Sequence, residues 1–126
     1  AICRKVANAK QIDEIEVWGD GEQTRSFLYI DECLEATKKL IRSDFTGPVN
    51  IGSEEMVTIN KLVEIVSKIS EKDISIKHID GPLGVRGRNS DNELINKELN
   101  WNYKMSLEEG LQKTYDWINS QLLKTQ

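Results

Sequence analysis

Apolar residues recur at helical spacing in four stretches of the chain, and this spacing predicts four helices. The stretches are residues 2–10, 32–43, 59–70 and 106–123, and a shorter helix is predicted over residues 93–100. Asp31 and Thr58 stand directly before two of these helices, in the position of an N-cap. Ser106 and Glu109 have the spacing of a capping box, which predicts the start of the last helix.

Short segments rich in apolar and β-branched residues predict strands between these helices. They are residues 14–18, 26–30, 48–52 and 73–79, and the last of them alternates apolar with polar residues. Asp20 and Gly21 form a strong turn signal, so the first two strands are predicted to pair as a hairpin. Short strands mixed with helices, without a linker or an internal repeat, predict one α/β domain.

Composition narrows the class of protein. The chain has 126 residues, a net charge of −4 and no apolar run near the ~20 residues that a membrane span needs. This acidic balance argues against nucleic acid as the main partner. Cys3 and Cys33 do not make a disulfide framework, which favours a reducing cytoplasm. His78 is the only histidine, so a metal site is not expected.

The first candidate for binding is the run Gln23, Thr24 and Arg25, which follows the turn. A guanidinium carries a planar fork of donors that matches phosphate oxygens. The alternative is an ordinary ion pair of Arg25 with Asp31 or Glu32. The residues alone do not decide between the two.

The second candidate is the segment GVRGRNSDN, residues 84–92, with Arg86 and Arg88 separated by one glycine. Glycines allow close approach of the backbone to a ligand, and the two arginines supply charge. The segment belongs to a loop of ~13 residues, 80–92, and a loop of that length is often functional in a compact domain. A solvated loop is the alternative.

Glycines 81, 84 and 87 have the spacing of a dinucleotide-binding turn, but we reject that interpretation. The motif requires a helix that begins within the glycines and faces the pyrophosphate. Pro82 lies inside the segment, and polar residues follow it. No cofactor site is therefore predicted within this chain.

Lys5, on the first predicted helix, can reach an anion, although a solvated lysine is the default. Cys3 has no histidine near it in sequence and is expected to be a packed side chain. The chain contains no Ser-His-Asp arrangement and no Tyr-x-x-x-Lys motif. No catalytic residue is therefore assigned.

The run WGDGEQTRSFLYIDECLEA, residues 18–36, resembles the C-terminal half of extended short-chain dehydrogenase/reductases, the NAD-dependent nucleotide-sugar epimerases and dehydratases. GPVNIGSEE (47–55), TINKLVEIV (58–66) and NKELNWNYKMSLEEGLQKTYDWI (96–118) follow in the order of that family. Within the family, ICRK (2–5) and GPLGVRGRNSDN (81–92) are most similar to the GDP-mannose 3,5-epimerase branch. Asn100 and Tyr103 depart from the usual G-W-x-P segment, which affects a turn.

The resemblance implies a fold and a site. Residues 1–126 would be the C-terminal substrate-binding lobe, and the N-terminal Rossmann domain would be absent from this chain. Its start at Ala1, within a predicted helix, also leads us to expect a piece of a longer enzyme. The family positions for nucleotide-sugar binding fall on Lys5, Gln23, Thr24, Arg25, Arg86 and Arg88.

The resemblance also implies an activity. The full-length enzyme would be a cytoplasmic homodimer that acts on a GDP-mannose-like nucleotide sugar. NAD, bound by the N-terminal domain, would transiently oxidise the sugar at C4. Protons would then move at C3 and C5 before re-reduction, and this chain alone would be inactive. A 4-epimerase, a 4,6-dehydratase or a non-catalytic binding module are the alternatives.

Overall fold

A computed structural model describes residues 1–82 and 84–124, which form five helices and five strands. The helices are α1 (Ile2–Asn8), α2 (Ile30–Ile41), α3 (Ile59–Ser70), α4 (Glu93–Leu99) and α5 (Leu107–Lys124). The strands are β1 (Ile12–Trp18), β2 (Thr24–Ser26), β3 (Met56–Thr58), β4 (Asp73–Ile79) and β5 (Gly87–Arg88). Among the described residues, no helix combines the length and apolar character needed to cross a membrane.

The two long strands form a parallel pair. β1 lies beside β4 in a register that runs from Ile12 opposite Asp73 to Trp18 opposite Ile79. The predicted hairpin is therefore wrong. The chain turns at Gly19 and Gly21, both with positive φ, and leaves this sheet instead of returning along β1. A parallel partner must come from a distant part of the chain through a crossover connection.

The three short strands form a second sheet with β2 in the centre. β2 runs antiparallel to β3 and parallel to β5. The predicted strand over residues 26–30 is wrong except for Ser26, because α2 already begins at Ile30. The predicted strand over residues 48–52 is also wrong, since that segment is irregular and the strand near it is β3.

The main core lies between the β1–β4 pair and three helices. α1, α3 and α5 contribute Val6, Val66 and Tyr115, and β1 contributes Ile15 and Val17. A second cluster joins Ala36 of α2 to Ile95 of α4 and to Trp101. Burial of such side chains stabilises each by about 1.5–3 kcal/mol relative to exposure.

Two of the three predicted helix caps are confirmed. Thr58 accepts a hydrogen bond from the Lys61 backbone at 3.0 Å. The capping box holds too: Ser106 N donates to Glu109 at 2.9 Å, and Glu109 N donates to Ser106 Oγ at 3.3 Å. The prediction for Asp31 is wrong, because it lies within the first turn of α2.

The apolar face predicted for helix α2 is confirmed only in part. The sequence pattern places Leu34 and Ile41 on this face, with Ala36 and Leu40 widening it. Ala36 is buried and Leu40 is half-buried, whereas Leu34 and Ile41 are 48% and 76% exposed. The helix therefore packs mainly through a small residue and leaves two of its larger apolar side chains in contact with solvent.

A single lysine holds the C-terminal end of α1. Lys72 Nζ donates to the carbonyl oxygens of Val6, Ala7 and Ala9 at 2.8, 3.0 and 2.6 Å. The last carbonyl groups of a helix lack intrahelical partners and carry partial negative charge. The ammonium group gives these carbonyl groups hydrogen-bond donors and places a positive charge beside their partial negative charge. It also connects α1 to the start of β4.

Candidate functional site

Strand β2 carries the first group of predicted site residues. Thr24 N donates to Arg86 O at 2.8 Å, and in the ladder Thr24 lies opposite both Thr58 and Gly87. Arg25 lies opposite Val57 on β3 and opposite Arg88 on β5. Neighbouring strands are about 4.8 Å apart, so this register brings two arginines side by side.

Both arginines line one open cleft of about 340 Å³, called the arginine cleft here. Its other polar lining residues are Ser26, Asn50, Ser53, Asn89 and Ser90. They come from β2 itself and from two further segments, residues 50–53 before β3 and residues 88–90 at the end of β5. The cleft therefore has a cationic floor and walls rich in hydroxyl and amide groups.

The arginine cleft lacks carboxylate partners for its cations. Arg25 donates from Nη1 to the carbonyl oxygen of Thr24 at 2.6 Å. The guanidinium group of Arg88 makes no hydrogen bond or ion pair with any residue in the described ranges 1–82 and 84–124. Two neighbouring guanidinium groups repel each other, and an anion bound between them relieves that repulsion. The predicted alternative, in which Arg25 pairs with Asp31 or Glu32, is not found in this structure.

Arg86 has a different environment. Its Nη1 donates to both carboxylate oxygens of Asp20, at 3.0 and 2.8 Å. This hydrogen bond holds the pKa of Asp20 below its ordinary value and raises the pKa of Arg86. Arg86 is not among the residues that line the arginine cleft. The structure thus brings Arg25 and Arg88 together and places the side chain of Arg86 against Asp20, in the turn that follows β1.

A second cleft of about 430 Å³, called the apolar cleft here, is lined by residues of α1, β1 and α3 and by the two residues that flank β2. Lys5 and Gln23 line it together with Trp18 and Phe27. Lys5 Nζ donates to Glu16 O at 2.6 Å. Gln23 is 9% exposed, and its Nε2 donates to Trp18 O at 3.3 Å.

The Oε1 atom of Gln23 is buried without a hydrogen-bond partner among the described residues. A buried polar atom left in this way costs free energy, so it marks a position where a donor is needed. Thr24 separates Gln23 from Arg25 in the sequence and lines neither cleft. The chain from Gln23 to Arg25 therefore contributes side chains to both clefts.

Sequence reasoning missed the walls of the arginine cleft. Asn50 and Ser53 are typical turn residues, and Ser53 does accept a hydrogen bond from Glu55 N at 3.1 Å. Asn89 and Ser90 belong to a segment in which only the arginines were singled out. The signal available was that Asn50 and Ser53 lie within and directly after the short segment of residues 48–52, which ends at a glycine.

The remaining candidates have structural surroundings. Burial raises the pKa of the Cys3 thiol, and this does not favour a nucleophilic thiolate. The parts of the chain described here contain no group of His, Cys, Asp and Glu side chains that could hold a metal ion.

The glycine segment does not fit a dinucleotide. Gly87 belongs to β5, and the next helix begins only at Glu93. These glycines therefore do not lead directly into a helix, whose N-terminus binds the pyrophosphate in such turns.

A comparison with known protein families decides the family. The family model described as GDP-mannose 4,6 dehydratase matches residues 1–114. The chain belongs to this family. The resemblance to NAD-dependent epimerases and dehydratases is therefore confirmed.

Individual relatives agree with this membership. A GDP-mannose 3,5-epimerase of Arabidopsis thaliana is 54% identical over 124 residues, which are 98% of this chain and 32% of that protein. The chain therefore spans about a third of the length of this relative.

Solved structures share the fold. A UDP-glucose 4-epimerase from Thermotoga maritima, crystallised with UDP-glucose, superposes with a TM-score of 0.88 at 26% identity, over 96% of this chain and 38% of that one. A UDP-glucuronic acid 4-epimerase from Bacillus cereus, in complex with NAD, gives 0.80 at 28% identity, over 97% and 39%. The mixed α/β arrangement described above is thus that of the epimerase family.

Proposed function

We propose that the protein to which this chain belongs is an NAD-dependent nucleotide-sugar epimerase of the GDP-mannose 3,5-epimerase type. Residues 1–126 form its nucleotide-sugar-binding domain. The observation that carries this proposal is the pairing of Arg25 with Arg88 across β2 and β5, in one cleft and without a carboxylate bound to either. The similarity to a GDP-mannose 3,5-epimerase supports the choice of substrate.

The two arginines bind the diphosphate of the nucleotide sugar. Hydrogen bonds between a guanidinium and phosphate oxygens are charge-assisted and have a defined planar geometry, so they orient the ligand as well as hold it. Lys5 and Gln23 line the apolar cleft, Thr24 follows Gln23 in the chain, and these three residues contact the remainder of the substrate. Arg86 joins the phosphate contacts only by releasing Asp20.

The reaction itself needs groups that this chain does not supply. NAD, when bound elsewhere in the protein, provides oxidation and reduction of the sugar, and the relative crystallised with NAD supports this cofactor. The contribution of residues 1–126 is to bind and orient the substrate. The family resemblance further supports a homodimer and a cytoplasmic location, which sedimentation and cell fractionation of the intact protein would test.

Calorimetric titration of the chain with GDP and UDP at millimolar concentration tests the binding role. We expect weak binding with a preference for GDP. Arg25→Ala and Arg88→Ala each weaken GDP binding by about 10- to 100-fold, because each loses a charge-assisted hydrogen bond of about 1.5–3 kcal/mol.

Arg42→Ala is the matched control. Arg42 is an exposed arginine at the end of α2 and lines neither cleft, so its loss leaves the affinity unchanged. No heat with either nucleotide, or equal losses for all three variants, would contradict the assigned site.

A 4,6-dehydratase is the second candidate, favoured by the description of the matching family model. Product analysis with the intact protein and GDP-mannose distinguishes the two. Epimerisation leaves the mass of the sugar unchanged and in D₂O introduces deuterium at C3 and C5. Dehydration produces a sugar lighter by one water molecule.

A further inference from the structure

Asn92 is a buried polar residue at the start of α4, with 3% of its surface exposed. Its side-chain Nδ2 donates to Gly52 O at 2.9 Å, and its Oδ1 accepts from Ser90 Oγ at 2.7 Å. Its backbone N donates to Glu54 Oε1 at 3.2 Å. The side-chain amide thus uses a donor and an acceptor at the same time.

These bonds join the two walls of the arginine cleft. Gly52 lies in the wall before β3, whereas Ser90 lies in the wall that follows β5. The walls also touch directly, because a Cβ atom added at Gly52 would lie 2.5 Å from the Ser90 Cβ. Asn92 sits at this seam and fixes the separation of the two segments.

Strand β5 is held on its N-terminal side by Arg86, whose carbonyl oxygen accepts from Thr24 N and whose side chain binds Asp20. The strand itself is two residues long, both residues are exposed, and it pairs only with β2. The side chain of Arg88 has no partner in the part of the chain that the structure describes. Because β5 pairs over only two residues, the direction of the Arg88 side chain depends on the segment that follows it, residues 89–92.

We infer that Asn92 is a positioning residue for the arginine cleft, and this inference rests on the proposed function. Asn92 anchors the segment after β5, so that Arg88 stays beside Arg25 at the separation that a diphosphate bridges. An asparagine is required because one terminus must donate to a carbonyl oxygen while the other accepts from a hydroxyl. Aspartate keeps only the acceptor, and leucine keeps neither.

The test compares Asn92→Ala and Asn92→Asp with Asn96→Ala in the full chain of 126 residues. Asn96 is an exposed asparagine on the same helix, and no side-chain hydrogen bond of it is observed, so it serves as the matched control. Each protein is titrated with GDP at a temperature where its circular dichroism shows it fully folded. The Nε–H resonances of Arg25 and Arg88 are followed by NMR during the titration.

In the unmodified chain we expect GDP to shift the resonances of both arginines. Both Asn92 variants bind GDP about tenfold more weakly, and the shift of Arg88 is lost while that of Arg25 persists, because Arg25 is held independently by β3. A merely structural role would lower the melting temperature without this selective loss. Asn96→Ala behaves as the unmodified chain.

The outcomes separate the inference from the function on which it rests. If GDP shifts neither arginine in the unmodified chain, the proposed function fails. If the unmodified chain responds and both Asn92 variants keep the Arg88 shift and the affinity, the positioning role is overturned. Should Asn92→Ala not fold, Ser90→Ala, which removes one bond of the seam, must show the same selective weakening of Arg88.

Discussion

The two sheets of this domain differ in length, burial and chemistry. The β1–β4 pair has seven residues in each strand and buries Ile15 and Val17 against three helices. The β3–β2–β5 sheet has strands of three, three and two residues, and it carries Arg25 and Arg88. β1 buries two core residues, whereas the second sheet buries only Val57, which packs with Leu62 and Leu107. We therefore expect changes in the first sheet to affect mainly stability, and changes of the two arginines to affect mainly the proposed ligand binding.

The largest expected effect is the loss of stability when a buried side chain of the first sheet is truncated. Ile15→Ala removes a side chain that is 6% exposed, so we expect a loss of about 2–5 kcal/mol in the free energy of unfolding. Ile12→Ala on the same strand removes one that is 76% exposed, and its effect stays within about 0.5 kcal/mol. Denaturant unfolding measures both. Similar losses for the two variants would show that β1 does not bury the face described here.

A smaller loss of stability is expected where the two walls of the arginine cleft touch, at Gly52 and Ser90. Gly52→Ala places a methyl group 2.5 Å from the Ser90 Cβ, and relief of this clash costs about 1–3 kcal/mol. GDP affinity falls as well, because the two walls move apart. The double variant Gly52→Ala with Ser90→Gly removes the opposing Cβ and recovers the free energy of unfolding, whereas GDP affinity stays low because the Ser90 Oγ bond to Asn92 is lost. A double variant no more stable than the single one would mean that Ser90 is not the obstacle.

The smallest effect concerns the exposed pair of Asp20 and Arg86. Arg86 lowers the folded-state pKa of Asp20, so the pair stabilises the fold above the ordinary pKa of an aspartate. That contribution disappears as the pH falls through the folded-state pKa, and it is small because solvent screens the pair. In an NMR titration of the Asp20 carboxyl carbon, Arg86→Ala raises the pKa and Arg88→Ala does not. An equal response to both variants would contradict the separate placement of these arginines.

Sequence patterns correctly predicted those features that depend only on residues close together in the chain. Thr58 caps α3, and Ser106 with Glu109 caps α5, because each bond joins residues three apart in sequence. The alternation in residues 73–79 likewise predicted β4. Strand pairing was not predictable in the same way. The partner of β1 lies about 60 residues away, and a turn signal such as Asp20-Gly21 carries no information about it.

The sequence predicted which types of residue belong to the candidate site, but it did not predict how they are arranged in space. Arg25 and Arg88 stood out because charged, donor-rich side chains lay beside glycines and turns. Arg86 has the same chemistry, yet the structure gives it to Asp20, 66 positions away in sequence. Asn92 gave no signal of its own, because an asparagine near a helix start resembles an ordinary cap until its buried partners are known.

The ammonium group of Lys72 has a consequence for the start of the chain. Helix α1 is only seven residues long, and isolated helices of that length do not persist in water. Neutralising this one side chain, as acetylation does, would leave three carbonyl groups without their cation and allow α1 to fray. Lys5 would then lose its fixed place beside the apolar cleft, so a covalent modification at residue 72 would change the surface around residue 5.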